Sequence, residues 1–178
     1  QLSGFIEKGE KPLFISLGSM HHNVQQINQT FEIFREAIDL ATERAIIQIS
    51  GLESRNMPDN ILPVKNVPYV WLLNKVSLVV HHFGFGTTAE VLKAGLPSIP
   101  VPHIFDHYKL ANKLHRSGVA HKPLNLHKLT ARHLAAAITN TKKDIRMKER
   151  LSGVSKAILK EKGLQNAVDL IEKHFNIQ

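Results

Sequence analysis

The sequence contains no cysteine, no long apolar run and comparatively few acidic residues. The lack of cysteine excludes disulfide bonds and thiolate metal sites. No apolar run approaches the roughly 18 to 20 residues of a membrane-spanning helix, so no span is expected. Residues 1–12 show neither a basic n-region nor an apolar h-region, and we therefore expect no signal peptide and a cytoplasmic location.

The shortage of acidic residues leaves the chain strongly basic. Its 178 residues include 23 Lys and Arg against 15 Asp and Glu, which gives a formal net charge of +8 and a pI of about 9.8. This excess favours an anionic partner, which can be a phosphate compound, a nucleic acid or an acidic lipid. The hydrophobic content of 43% is typical of a globular domain and excludes intrinsic disorder.

Short apolar runs alternate with helical patterns along the first 140 residues. The runs predicted as strands are 13–17, 45–49, 61–64, 76–81, 98–101 and 119–121. The helical patterns between and after them are 24–41, 86–94, 106–117 and 130–139. The alternation predicts a doubly wound, Rossmann-like α/β fold: a parallel sheet of about six strands with helices on both faces.

Beyond residue 140 the strand patterns stop. Two helical stretches, 142–162 and 164–175, are predicted there, with a break at Gly163. The second carries an apolar stripe typical of a packed helix. Because no low-complexity linker interrupts the chain, we predict one domain over 1–178, with the α/β core at about 1–140 and C-terminal helices at about 141–178.

The segment 81–90, His-His-Phe-Gly-Phe-Gly-Thr-Thr-Ala-Glu, follows a buried strand and opens a helix. Gly84 and Gly86 allow backbone to approach a ligand closely. The unpaired N–H groups of a helix start favour an anion, and the hydroxyl of Thr87 adds a donor. Glu90, one turn further on, suits the vicinal hydroxyls of a ribose. The segment therefore predicts a site for a nucleoside diphosphate.

The position of this loop strengthens the prediction. It matches neither GxGxxG nor GxxxxGK[ST], so dehydrogenase and NTPase functions have no specific support. With the strand order 3-2-1-4-5-6, the sheet changes direction between strands one and four. Gly18 and Ser19 follow the first of these strands, and His82 to Gly86 follow the other. We therefore expect two phosphate-binding loops to face each other across one crevice.

The order of these motifs resembles the nucleotide-sugar-binding, C-terminal domain of GT-B glycosyltransferases, and the resemblance covers nearly the whole chain. The pattern is most similar to sterol and lipid glucosyltransferases and to bacterial macrolide and rhamnosyl transferases. The segments that carry it are 11–20 (KPLFISLGSM), 67–72 (VPYVWL), 81–88 (HHFGFGTT), 94–97 (AGLP), Pro102, Asp106, Asn112 and 163–168 (GLQNAV).

The resemblance implies a donor site for a UDP-sugar or a dTDP-sugar, with UDP favoured. His82 would contact the diphosphate, which Gly84, Gly86 and Thr87 would surround. The remaining contacts implied are phosphate by Ser19, ribose by Glu90, uracil by the main chain of Val67, and sugar hydroxyls by Asp106 and His107.

Three positions depart from the family pattern. His107 stands where Gln is usual, which leaves the donor sugar open because an imidazole offers different hydrogen bonds from an amide. Phe83 replaces the common Gly after the paired histidines, and Asn66 stands where plant relatives have a stacking Trp. Trp71 agrees with the sterol and lipid glucosyltransferases.

The implied activity is an inverting hexosyl transfer to a hydroxyl of a small-molecule or lipid acceptor, without metal or cofactor. Donors at His82 and Thr87 would stabilise the charge of the departing nucleoside diphosphate. In the family, the general base is a His of an N-terminal acceptor domain, which we do not expect within 1–178. We therefore expect this chain to bind donor as part of a two-domain enzyme and to be inactive alone.

Four alternatives remain open from the sequence. The chain is a catalytically silent nucleotide-sugar-binding module, or a basic nucleic-acid-binding domain, for which it has no recognisable motif. His103 and His107 have a spacing compatible with a metal, but no third ligand is indicated. Residues 142–162 hold eight Lys and Arg against three Asp and Glu, which is typical of a solvated helix face and also compatible with an anionic membrane surface.

Overall fold

Five parallel strands form the centre of the computed structural model, which describes residues 2–18, 24–52 and 57–175. The strands are β1 (Leu13–Ser16), β2 (Ala45–Gln48), β3 (Ile61–Pro63), β4 (Leu78–His81) and β5 (Ser98–Pro100). Their order in the sheet is β3-β2-β1-β4-β5. The predicted α/β fold class, the parallel sheet and the change of direction between strands one and four are confirmed.

The described residues also form eight α-helices. They are α1 (Leu2–Glu7), α2 (Val24–Leu40), α3 (Tyr69–Leu72), α4 (Phe85–Lys93), α5 (Phe105–Arg116), α6 (Ala131–Lys143), α7 (Ile145–Lys160) and α8 (Gly163–Phe175). Single turns of 3-10 helix lie at Leu73–Lys75 and Leu126–Lys128. Across the described ranges, no helix has both the length and the apolar character that a membrane span requires.

The two faces of the sheet are covered by different helices, because side chains alternate along each strand. Leu13 and Ile15 of β1 point into a large core that α2 and α6 cover. Phe14, between them, points into a second core with Leu72 of α3 and Val91 of α4. Since strands covered on both faces have no solvent side, they carry continuous apolar runs, and this explains why the runs predict them well.

The predicted strand at 119–121 is wrong. Its Val119 and Ala120 are buried as expected, but the segment forms isolated backbone hydrogen bonds, such as His121 N–H to the Ser98 carbonyl at 2.9 Å, rather than a ladder. Gly118, at φ +70°, turns the chain immediately before it. The segment is therefore too short to form a strand, and the sheet has five strands where about six were expected.

The C-terminal helices also differ in detail from the prediction. The break lies at Glu161 and Lys162, and Gly163 is the first residue of α8. α7 packs on α4, whereas every residue of α8 is exposed. Its apolar stripe thus faces solvent, with Leu164 83% exposed and Phe175 66% exposed. The packing that the stripe predicts is not made within the described residues.

Candidate functional site

A cavity of about 350 Å³ opens where β1 and β4 end side by side. Ser16 of β1 is paired with His81 of β4, so the chain leaves both strands at the same edge of the sheet. This volume is within the range of small-molecule sites. The residues that line it are Ser16, Gly18, Gln48, Ser50, Lys65, Asn66, Tyr69, His82 and Thr87.

His82 lies between two glycines at the wall of this cavity. A Cβ on Gly18 would lie 2.6 Å from its Cε1, and a Cβ on Gly84 would lie 2.5 Å from its Nε2. Gly18 also has φ +75°, which a residue with a side chain rarely adopts. Both positions therefore require glycine so that the imidazole fits, and the space at Gly84, expected to admit a ligand, holds the His82 ring.

The environment of His82 favours its neutral form. Burial lowers the pKa of its imidazole, and the nearby His107 lowers it further, while a hydrogen bond with the Ser16 backbone raises it. Without a ligand, His82 is therefore neutral at pH 7. A neutral imidazole has one N–H donor and one acceptor, and a hydrogen bond that raises the pKa uses that N–H on the Ser16 backbone.

The preceding residue, His81, has a structural role. It is fully buried, and burial, with smaller contributions from His82 and His107, lowers its pKa to about 3. Its Nδ1 accepts a hydrogen bond from the Phe83 N–H at 3.3 Å, and its ring stacks on the Phe83 ring at 4.4 Å. His81 thus holds the turn that presents His82.

Phe83 occupies a backbone conformation that side chains disfavour. Its φ is +69°, which explains why a relative would carry glycine here and costs of the order of 1 to 3 kcal/mol. The side chain is fully buried and packs in a small cluster with Ala111 and Ala120. Burial of the ring offsets the strain, so Phe83 anchors the loop from inside.

Helix α4 directs its N-terminus toward this loop. Gly84 is the N-cap and makes no side-chain cap hydrogen bond, so the first N–H groups remain for a ligand. Thr87 lines the cavity. Thr88 instead is buried and donates its hydroxyl to the Gly84 carbonyl at 2.9 Å. A Cβ on Gly86 would have nothing within 4 Å.

A chain of hydrogen bonds forms the opposite wall, and sequence reasoning assigned it no role. The Tyr69 hydroxyl donates to Gln48 Oε1 at 2.9 Å and lies 3.1 Å from Ser16 Oγ, which donates to it in turn. Gln48 Nε2 donates to the Lys65 carbonyl at 3.1 Å. Ser16 and Gln48 are the last residues of adjacent parallel strands, and this position is the sequence signal that would have identified them.

The other predicted residues lie at different distances from the cavity. Val67 is buried directly after the lining residue Asn66. Glu90 is half-buried on α4, and Asp106 is exposed in the first turn of α5, so neither is part of the lining. Ser19 lies outside the described residues.

His107 lies behind His82, away from the cavity lining. It is only 8% exposed, and its ring centroid is 5.0 Å from that of His82. His103, which precedes α5 as expected, stacks on His82 at 6.0 Å. Within the described residues, no group of three or more His, Asp or Glu side chains is arranged to hold a metal ion.

Residues 33–170 match the family model described as erythromycin biosynthesis protein CIII-like, C-terminal domain. An O-mycaminosyltylonolide 6-deoxyallosyltransferase of Streptomyces fradiae is 33% identical over 97% of this chain and 40% of that protein. A sterol 3-beta-glucosyltransferase of Arabidopsis thaliana is 34% identical over 98% of this chain and 28% of that protein. The chain thus spans less than half the length of these relatives.

Solved structures show the same fold. The glycotransferase of kitacinnamycin has a TM-score of 0.78 and 25% identity, over 93% of this chain and 43% of that one. The glycosyltransferase VinC, solved in complex with dTDP, has a TM-score of 0.79 and 21% identity, over 96% of this chain and 43% of that one.

Proposed function

The chain belongs to the family of erythromycin biosynthesis protein CIII-like C-terminal domains, part of the GT-B glycosyltransferase fold, and on that basis we propose that its cavity binds a UDP-sugar. One observation carries the proposal: a helix start, a neutral imidazole and a threonine meet at the cavity between β1 and β4. These groups suit a diphosphate, and none of the described residues that line the cavity is a carboxylate.

The proposed chemistry depends on the leaving group. The nucleoside diphosphate gains about one negative charge when the bond to the sugar breaks. Fixed donors at His82, Thr87 and the start of α4 stabilise that charge, and single donors of this kind are typically worth about 3 to 4 kcal/mol. We propose an inverting transfer that needs no metal, since the protein's own donors neutralise the charge.

The rest of the donor would extend along the cavity in both directions. Toward β2, the main chain at Val67 and the lining residue Asn66 would meet the base. On the α4 side, Glu90 would hold the ribose. Asp106, exposed at the start of α5, would reach the transferred sugar, and Ser19 would add a phosphate contact.

The acceptor and the general base belong to the whole protein. Because the chain corresponds to 40% and 28% of the two relatives, we propose that another domain supplies them and that transfer to a hydroxyl of a lipid or small molecule needs both parts. The names of these relatives, an O-mycaminosyltylonolide 6-deoxyallosyltransferase and a sterol 3-beta-glucosyltransferase, support this acceptor class.

Titration calorimetry with UDP tests the donor site. His82→Ala should weaken UDP binding by about tenfold to a hundredfold, as expected for a lost hydrogen bond to a charged group. His133→Ala, on the exposed face of α6, is the matched control and should bind as the unchanged chain does. Equal affinity in the unchanged chain and in His82→Ala would contradict the site. A parallel titration with dTDP decides between the two nucleotides.

A further inference from the structure

Four imidazoles meet at the end of β4, and the proposed donor site uses only one of them directly. The ring of His82 lies 5.0 Å from His107, 6.0 Å from His103 and nearly parallel to it, and 6.3 Å from His81. His103 and His107 are themselves 6.4 Å apart. Three other imidazole rings thus lie near His82, in addition to Gly18 and Gly84.

Three nitrogens of His81, His82 and His107 are buried without a hydrogen bond. Within the described residues, these are Nε2 of His81, Nδ1 of His82 and Nδ1 of His107. A neutral imidazole has an N–H on only one of its two nitrogens, whereas an imidazolium has an N–H on both. A single proton added to His82 would therefore give it an N–H on both nitrogens, with the His107 ring centroid 5.0 Å from its own.

The groups around His82 determine whether it accepts that proton. The titratable and charged groups next to it in sequence, in its ring cluster, near the starts of α4 and α5 or across the cavity are His81, His103, His107, Asp106, Glu90, Lys65 and Tyr69. Burial and the neighbouring His107 lower the pKa of His82, and neither carboxylate contributes to it. His82 is therefore neutral in the empty site, where no negative charge stabilises its protonated form.

We propose that a diphosphate in the cavity supplies this counter-charge, so that His82 takes up one proton when the donor binds and His107 Nδ1 accepts the new N–H. The inference rests on the proposed function, because the anion is the nucleoside diphosphate. His107 acts as a positioning residue: it touches His82 and not the cavity. Donor binding is in this way coupled to proton uptake from solvent.

The coupling has a definite sign. The bound anion raises the pKa of His82 above its value in the empty site, so affinity is highest below the empty-site pKa and falls as pH rises through the bound-state pKa. Each unit by which the pKa rises corresponds to about a tenfold difference in affinity between these limits. One proton permits at most a tenfold change per pH unit.

Histidine NMR titration of the 178-residue chain, with and without saturating UDP, measures the coupling directly. It reads the protein's imidazoles and is therefore independent of ionisation of UDP itself. The His82 pKa should be higher in the UDP complex. If UDP binds and this pKa is unchanged or lower, the inference is overturned while the proposed donor site stands. If UDP perturbs no signal, the proposed function itself fails.

Two variants separate positioning by His107 from simple packing. His107→Asn keeps an acceptor close to the place of Nδ1 and should retain the rise in the His82 pKa. His107→Leu keeps the volume without the acceptor and should lose most of it. A full rise in His107→Leu, or its loss in His107→Asn, would overturn the assignment of His107. If the leucine variant does not fold, the asparagine variant and the unchanged chain still decide.

Discussion

Gly84→Ala tests the central feature of the site, the fit of the His82 ring between two glycines. Gly84 has φ −62° and ψ 145°, which alanine adopts without strain, so the effect of the change is not a backbone effect. The new Cβ would lie 2.5 Å from His82 Nε2 and 3.2 Å from its Cδ2. The ring must move by roughly 1 Å to regain ordinary contact distances.

This displacement should affect UDP binding more than stability. Losing a well-placed hydrogen bond to a charged ligand costs about 1.5 to 3 kcal/mol, or roughly tenfold to a hundredfold in affinity. Overpacking and the loss of a good N-cap residue together should lower the free energy of unfolding by about 1 to 3 kcal/mol. Calorimetry with UDP and urea unfolding measure the two effects separately.

Gly153→Ala provides the matched control. Gly153 lies in α7, and a Cβ there would meet nothing within 4 Å. The same substitution should leave UDP affinity unchanged and raise the free energy of unfolding by up to about 1 kcal/mol, because alanine is the better helix former. If Gly84→Ala binds UDP as tightly as Gly153→Ala does, the tight slot around His82 has no role in binding and the reasoning is refuted.

Three further changes test the surroundings of the site by urea unfolding. Phe83→Ala should cost about 3 to 5 kcal/mol, since it empties a fully buried position; a loss below 1 kcal/mol would contradict its role as anchor. Tyr69→Phe should lower the free energy of unfolding by about 1 to 2 kcal/mol, because Gln48 loses a donor, and it should weaken UDP binding. If both quantities are unchanged, Tyr69 does not support that wall of the cavity. His81 has a pKa of about 3 in the folded chain, against about 6.5 unfolded. Stability should therefore fall by about 1.4 kcal/mol per pH unit from pH 6 toward 4, and less steeply in His81→Asn; equal slopes would refute this.

The fold was largely predictable, because a parallel sheet covered on both faces leaves its signature in short apolar runs. The helical pattern over 24–41, which forms α2, and the apolar runs of β1 and β4 each predict an element from the local sequence alone. The segment at Val119 and Ala120 is equally apolar, but an apolar sequence indicates that residues are buried and not that they pair with a neighbouring strand. The burial there was predictable, and the missing ladder was not.

The site was predictable only in part, because contacts between residues far apart in the sequence cannot be inferred from a local sequence pattern. The loop at 82–87 can be recognised from its glycines and from its position before a helix. The loop sequence does not show which groups lie against these glycines. In the structure Gly18, which follows β1, lies against His82, and the His82 ring fills the space at Gly84. The wall formed by Tyr69 and Gln48 depends on the register of β1 against β2, which no local pattern specifies.

The buried ring of Phe83 has a consequence for how a ligand meets this site. A turn held in an unfavourable conformation by glycine alone can relax when the site is empty. A turn fastened to the interior by an aromatic side chain keeps its shape, so the ordering of this loop belongs to folding rather than to association. An arriving anion then meets donors already in place, and little of its affinity is lost to rearranging the protein.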